Sequence, residues 1–343
     1  MRHLVVDLAA TSKNWALPPD GEAAIAAATP GGWRVTVVHA PTHADVDGRA
    51  QPSAEALAAV RDAEVYFGFG MSRQLFTSAP SLKWLQSAAA GVGALLYPEL
   101  IASSVVVTNS AGIHAVPIAE HVLGGLIYLL RGFDVAVDQH CAGVWDKEPF
   151  VGGGGLVREV GESRVLIIGT GGIGGAVASR LTGLGAECVG MRRRPELGVP
   201  AGFARVFGQD RLDVELFGAD VVILAAPLTA DTRGVMSADR LDRLPKHAIV
   251  VNVGRGTLLD ENALADRLED GRLRGAVLDV FGEEPLAPDS RFWGMRQVLL
   301  TPHVSAVSPR RFWQRELALF FDNWERFRAG RPLRNVVDMQ AGY

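Results

Sequence analysis

The sequence predicts an α/β protein of two doubly wound parallel-sheet domains, and three observations carry that reading. Short β-rich runs alternate with helical patterns in two separate series. A single long apolar helical segment, "AVPIAEHVLGGLIYLLR" from Ala115 to Arg131, separates them. The length, 343 residues, suits about two domains. Strand–helix alternation produces parallel sheets with helices on both faces.

The first series reads "HLVVDL", "RVTVVHA" and "EVYFGFG" as strands, followed by "LKWLQSA" and "VVVTNSAG". Between the second and third strands, "SAEALAAVRDAE" has a helical pattern opened by Ser53 as its cap. In the long apolar helix Pro117 suits the first turn, and the helix serves as a rigid connector between domains. The glycine run "VGGGGL", Val151 to Leu156, lacks the Lys-Ser/Thr ending of a phosphate loop and reads as a surface loop. The second series gives strands at "RVLIIG", "AECVGM", "ADVVILAAP", "AIVVNVG", "GAVLDVF" and "QVLLTPHVSA". Helices are expected at "IGGAVASRLTGLG", "DENALADRLEDGRL" and, briefly, "DRLDRLPKH".

Composition narrows the function classes. Hydrophobic residues make up 48% and charged residues 21%, a globular profile with enough apolar material for sizeable cores. A net charge of -4 points to neither nucleic acid nor a membrane surface. The two cysteines, Cys141 and Cys188, form neither a disulfide framework nor a metal cluster and fit a reducing compartment. The opening "MRHLVVDLAA" is too short for a signal segment and reads as a strand, and no apolar run nears 18 residues. A cytoplasmic protein is expected.

Gly169-Thr170-Gly171-Gly172-Ile173-Gly174 matches G-x-G-x-x-G after an apolar strand and at the start of a helix. The first glycine permits the tight turn, the second lets backbone approach a pyrophosphate, and the third lets helix and strand pack closely. The helix N-terminus supplies N–H groups and a positive dipole end. About 20 residues on, an acid would accept the ribose hydroxyls of NAD. This chain has Arg192, Arg193 and Arg194 there. Guanidinium groups bind a 2′-phosphate with charge-assisted bonds, so NADP(H) is favoured, with NAD(H) as the second possibility. The competing reading is a solvated basic turn.

Chemically useful residues follow at three successive strand ends: Arg255 in "VNVGRG", Asp279 with Glu283 and Glu284 in "LDVFGEEPL", and His303 in "TPHVSA". In a doubly wound sheet these ends gather beside the glycine loop. Singly, each has a plain alternative as a surface turn, a solvated charge or a packed histidine.

With "LKWLQSAAAGVG", "TNSAGIHAVPIAEHV", "APLTADTRGVM" and the tail "FDNWERFRAGRPLRNVVD", these motifs resemble the D-isomer-specific 2-hydroxyacid dehydrogenase family, in the manner of glyoxylate/hydroxypyruvate reductases, over nearly the whole chain. The resemblance implies a Rossmann cofactor domain, residues 112–303, inserted into a discontinuous flavodoxin-like substrate domain, residues 1–111 plus 304–343. It implies that Arg255 binds the substrate carboxylate and polarises the keto oxygen, that His303 is the acid/base and that Glu284 orients it. Ala90, Gly91 and Val92 match the loop that holds the substrate carboxylate. Asp279 matches a nicotinamide contact, and Pro227, Thr232, Val253 and Gly254 fall in cofactor-binding motifs. The chain departs from the family at the missing acid and at Gly93, where Asp is frequent.

The expected activity is reduction of a small 2-oxo acid by NAD(P)H to the D-2-hydroxy acid. Hydride arrival builds negative charge on the keto oxygen, which a fixed arginine stabilises while an imidazolium delivers the proton. The alternatives are a dinucleotide-sensing binding protein of the same fold and a dehydrogenase of another small anion such as formate or phosphite. A homodimer is expected, because Ile118, Val122, Leu123, Leu126, Ile127, Leu129 and Leu130 make the connecting helix apolar nearly all round. Trp145, just beyond it, either caps its own domain's core or crosses to a neighbouring subunit's substrate cleft.

Overall fold

In the computed structural model, which describes all residues except 11–14, 42, 45–49, 153–155, 341 and 343, the two alternating series fold as two units. Met1–Ile113 and Ser308–Tyr343 form one, and His114–Val307 the other. The centre of the glycine run read as a surface loop lies outside the described residues.

The first unit begins with β1 (Arg2–Asp7), α1 (Pro19–Ala28), β2 (Trp33–Val37) and a small hairpin of β3 (His43–Ala44) and β4 (Ala50–Gln51). It continues through α2 (Ala54–Ala59), β5 (Val65–Gly68), α3 (Arg73–Thr77), β6 (Trp84–Ser87), α4 (Pro98–Ile101) and β7 (Val106–Thr108). Ser53 caps α2, its side chain accepting from the Ala56 N–H. The main sheet is parallel, in the order β2-β1-β5-β6-β7, the flavodoxin-like arrangement. Its central strands β1, β5 and β6 are buried on both faces: Leu4 and Val6 feed one core and Val5 the other.

The second unit contains α5 (Ala115–Leu130), α6 (Phe133–Ala142), α7 (Glu148–Val151), β8 (Arg164–Ile168), α8 (Gly172–Gly183), β9 (Glu187–Met191) and β10 (Arg205–Phe207). Then come α9 (Leu212–Glu215), β11 (Val221–Leu224), α10 (Ala238–Leu241), β12 (Ile249–Asn252), α11 (Glu261–Glu269), β13 (Gly275–Leu278) and β14 (Val298–Leu300). The parallel sheet runs β10-β9-β8-β11-β12-β13-β14, so the topology reverses between β8 and β11. That switch point is where ligands bind in such sheets. Val165 and Ile167 enter one core, Leu166 and Ile168 the other. The edge strand β10 was not singled out in the sequence, because three residues, two of them not buried, leave no period-2 signal. The short helix expected at "DRLDRLPKH" holds only four residues and ends ahead of Pro245.

The long apolar helix, expected as a connector and included in the 112–303 cofactor domain, opens the second unit. It lies wholly in the second unit, where α5 packs on α8 and on β12 and β13. Ile118, Ala119, Val122, Leu126 and Leu129 are buried, while Val116, Leu123 and Ile127 stay partly exposed. Gly125 allows the close approach, since a Cβ there would stand 2.7 Å from Val277. Among the described residues no single helix is long and apolar enough to cross a membrane.

The chain returns to the first unit as α12 (Phe312–Arg328). Its buried stripe is Phe312, Glu316, Phe320, Asn323 and Trp324, the spacing of one helix face. Phe320 stacks on Phe67 with ring centroids 4.2 Å apart, and Trp84 lies 5.8 Å away. Two polar side chains, Glu316 and Asn323, thus sit in an otherwise aromatic stripe.

Candidate active site

The glycine loop sits where β8 hands over to α8. Gly169 has φ of +101°, a left-handed conformation that only glycine adopts freely, and a Cβ there would meet the Ala226 backbone at 2.7 Å. Gly174 lies so close under the Gly169 carbonyl that any side chain would collide with it. Gly171, by contrast, has open space where its Cβ would be, and it caps α8 with no side chain covering the first N–H groups. Gly172, Ile173 and Gly174 then form the first turn of α8. A cradle of free N–H groups with room beside it fits a pyrophosphate. The residues present therefore suit a dinucleotide.

The arginines follow β9 directly. The backbone of Arg192 donates to Phe207 and its guanidinium donates to the Gly198 carbonyl at 2.9 Å. Arg193 and Arg194 are exposed. Across the switch point, Thr232 closes the loop after β11: its hydroxyl donates to the Pro227 carbonyl at 2.7 Å and accepts from the Thr229 N–H. Pro227 is exposed on that loop.

At the end of β12, buried Asn252 shapes the turn that carries Arg255. Its amide donates to the Arg255 carbonyl at 3.0 Å and its oxygen accepts from the Gly254 N–H at 3.1 Å. Val253 and Gly254 are buried, and Arg255 is half-buried, with Nη1 donating to the Gly254 carbonyl. Gly256 presses against the Phe281–Gly282 backbone, too close for any Cβ. This contact joins the Arg255 turn to the segment carrying Glu284.

At the end of β13, Asp279 is completely buried. Its carboxylate accepts from the Thr301 hydroxyl at 2.6 Å, the Val304 N–H at 2.9 Å and the Ser305 N–H at 3.0 Å. Burial pushes its pKa up, but the hydrogen bonds from Ser305, Thr301 and Val304 outweigh that and hold it below the usual carboxylate range. The Asp279 carbonyl also accepts from the His303 N–H at 2.8 Å. His303 itself has φ of +53°, a left-handed conformation unusual for a residue with a side chain. Asp279 holds it there.

His303 Nδ1 lies 2.8 Å from Glu284 Oε2. A carboxylate only accepts, so Nδ1 carries a proton and Nε2 is the nitrogen left to give or take one. Glu284 is fixed by the Phe281 N–H on its other oxygen, at 3.0 Å. Glu261, the first residue of α11, accepts from the Gly282 N–H at 2.7 Å; burial, with a contribution from the Glu284 charge, raises its pKa. β12, β13 and β14 are adjacent, so Arg255, Asp279 and His303 rise from neighbouring strand ends spaced about 5 Å apart.

In the first unit, Ala90 is exposed, Gly91 half-exposed and Val92 buried, directly after β6. Asn109 donates to the Ala90 carbonyl at 2.9 Å and the Ser110 N–H to the Ala89 carbonyl at 3.2 Å. Trp145 follows α6 and is fully exposed, which removes the reading in which it caps its own domain's core. No group of three potential metal ligands occurs among the described residues.

Residues 123–305 match the model of the D-isomer specific 2-hydroxyacid dehydrogenase NAD binding domain. The chain belongs to that family. It is an NAD(P)-dependent enzyme of the D-2-hydroxyacid dehydrogenase and 2-oxo acid reductase class. A glyoxylate/hydroxypyruvate reductase of Arabidopsis thaliana is 30% identical over 266 residues, covering 78% of this chain and 79% of that protein. Among solved structures, a D-isomer specific 2-hydroxyacid dehydrogenase from Xanthobacter autotrophicus Py2, in complex with NADPH and MES, aligns over 100% of this chain and 99% of its own, with a TM-score of 0.80 and 30% identity. An NADPH-dependent glyoxylate/hydroxypyruvate reductase from Sinorhizobium meliloti, in complex with NADP and sulfate, covers all of both chains at a TM-score of 0.78 and 29% identity.

In this dehydrogenase the sequence did not point to Asn252, Thr301, Ser305 or Glu261, which act only on neighbours. Their one sequence signal is position, beside the strand ends. The carboxylate of Asp279, expected as a nicotinamide contact, organises the His303 segment in the structure. Asp279→Asn turns an NH2 group toward donors and is expected to lower the reduction rate about tenfold or more. Steady-state kinetics with NADPH titrated separately is the check; an undiminished rate sinks the positioning role, and a cofactor-only defect restores the nicotinamide contact.

Proposed function

We propose that this enzyme reduces a small 2-oxo acid of the glyoxylate or hydroxypyruvate kind to the D-2-hydroxy acid, with NADP(H) preferred over NAD(H). The observation that carries the reading is the His303–Glu284 pair, 2.8 Å apart at the end of β14, with Arg255 rising two strands away. Arg255 binds the carboxylate and stabilises the negative charge that grows on the keto oxygen. His303 Nε2 delivers the proton, and Glu284 fixes its ring through Nδ1. The N–H groups of Gly91 and Val92 hold the substrate carboxylate. The glycine loop, Pro227, Thr232, Val253 and Gly254 hold the dinucleotide, which supplies the hydride when bound. The glyoxylate/hydroxypyruvate reductases among its relatives support this substrate class.

His303→Asn is expected to leave NADPH affinity nearly intact and to lower the rate by about 10²–10⁴. NADPH oxidation across about a dozen 2-oxo acids tests both the activity and its substrate; wild-type turnover by the variant removes His303 from the mechanism.

The arginine loop after β9 and the NADP(H) bound in both solved relatives support the cofactor preference. Replacing Arg192 and Arg193 together is expected to reduce kcat/KM for NADPH far more than for NADH. An unmutated enzyme that prefers NADH overturns this.

A homodimer is the third part of the proposal. Support comes from the partly exposed Val116, Leu123 and Ile127 face of α5, and from Phe133, Val137, Val144 and Trp145, all exposed by about half or more. Sedimentation at micromolar concentration is expected to give twice the chain mass, and a monomer there rules the interface out. The assembly is expected to act in the cytoplasm.

A further inference from the structure

Buried polar groups collect beneath the Ala88–Val92 loop. Gln86, Ser87, Thr108, Asn109 and Ser110 come from the ends of β6 and β7, and Glu316 and Asn323 from α12; all are buried. One half of this set is closed on itself. Trp84 Nε1 donates to Thr108, Thr108 donates to Gln86 Oε1, and Asn323 donates to the same oxygen.

The other half has a shortage of protons. Ser110 Oγ lies 2.8 Å from Glu316 Oε1 and 2.9 Å from the Ser87 carbonyl. The hydroxyl has one proton, and neither an ionised carboxylate nor a carbonyl has any to give. The chain closes when Glu316 is protonated: its O–H donates to Ser110 Oγ, and Ser110 donates to Ser87. The second carboxyl oxygen of Glu316 has no partner, which a neutral acid tolerates far better than a buried anion does. Burial pushes the acid up to about 8, opposed by the Ser110 hydrogen bond, and no charged side chain contributes to that rise. The neighbouring Arg315 directs its guanidinium to the Ile113 carbonyl.

We infer that Glu316 is a positioning residue that acts through Ser110 to set the Ala88–Val92 loop and thereby the affinity for the 2-oxo acid. Ser110 grips the loop twice, at the Ser87 carbonyl through its hydroxyl and at the Ala89 carbonyl through its N–H. Asn109 holds the next carbonyl, that of Ala90. An apolar residue would fill the Phe312–Glu316–Phe320 stripe at less cost in desolvation, so packing does not account for an acid at this position. The inference rests on the proposed role of Gly91 and Val92 in holding the substrate carboxylate.

Four variants test it: Glu316→Leu, Glu316→Gln, Ser110→Ala and Gly91→Val. Glu316→Leu and Ser110→Ala are expected to raise KM for the 2-oxo acid about tenfold, with kcat at saturation and KM for NADPH within about twofold of wild type. Glu316→Gln keeps an N–H for Ser110 and is expected to retain the wild-type KM at pH 7. Between pH 7 and 9 the wild-type KM is expected to rise more steeply than that of Glu316→Gln, because an ionised Glu316 has no proton to give. A merely structural role predicts lower thermal stability without this split. Glu316→Leu with a wild-type KM, Glu316→Gln as impaired as Glu316→Leu, or matching pH profiles each overturn the inference. Gly91→Val reports on the underlying reading: an unchanged KM there overturns the loop assignment itself, while a raised KM there with a wild-type KM in Glu316→Leu overturns Glu316 alone.

Discussion

The Asp279 carboxylate, buried at the end of β13, accepts from Thr301, Val304 and Ser305 and so fixes the segment that carries His303. Much of the site's geometry depends on that anchor. His303 stands in a left-handed conformation, which costs energy for a residue with a Cβ and persists only where the surroundings over-determine it. The Asp279 carbonyl takes the His303 N–H, and the carboxylate takes the two that follow His303. With the backbone fixed, Nδ1 meets Glu284 and Nε2 is left for chemistry. A loop free to relax would give up the strained conformation first.

Around that anchor the second unit repeats one device. A polar side chain binds the backbone of a turn beside the site: Asn252, at the end of β12, holds the Arg255 turn, and Glu261, at the start of α11, holds Gly282. The first unit does the same with Asn109 and Ser110 beneath the Ala88–Val92 loop. Such sites are held to the tolerances that positional catalysis needs. The glycines act in the opposite sense. Gly169, Gly174 and Gly256 are required by what touches them, and Gly171 by the open space it leaves.

The strand series, the glycine fingerprint and the Arg255, Glu284 and His303 set were legible because each has a local signature. Buried parallel strands are continuous apolar runs, and the fingerprint has fixed spacing next to a strand. β10 was not legible, since three residues at an exposed edge have no pattern. The packing partners of α5 were not legible for a related reason. Apolar residues all round a helix say that it is buried, but not against what, and the packing of Gly125 on Val277 is a tertiary fact.

The sequence by itself determined the α/β class, the two sheets and the family, and nominated the candidate site residues, because periodicity and motif spacing are properties of the chain. Tertiary structure decided which polar groups are partnered. Asp279 reads as a cofactor contact in the chain and as the anchor of His303 in the fold, because its donors lie 22 to 26 residues away. Glu316 was not singled out in the sequence and proves wholly buried against Ser110, 206 residues earlier. Burial and hydrogen-bond satisfaction depend on distant parts of the chain meeting, and no local pattern records them.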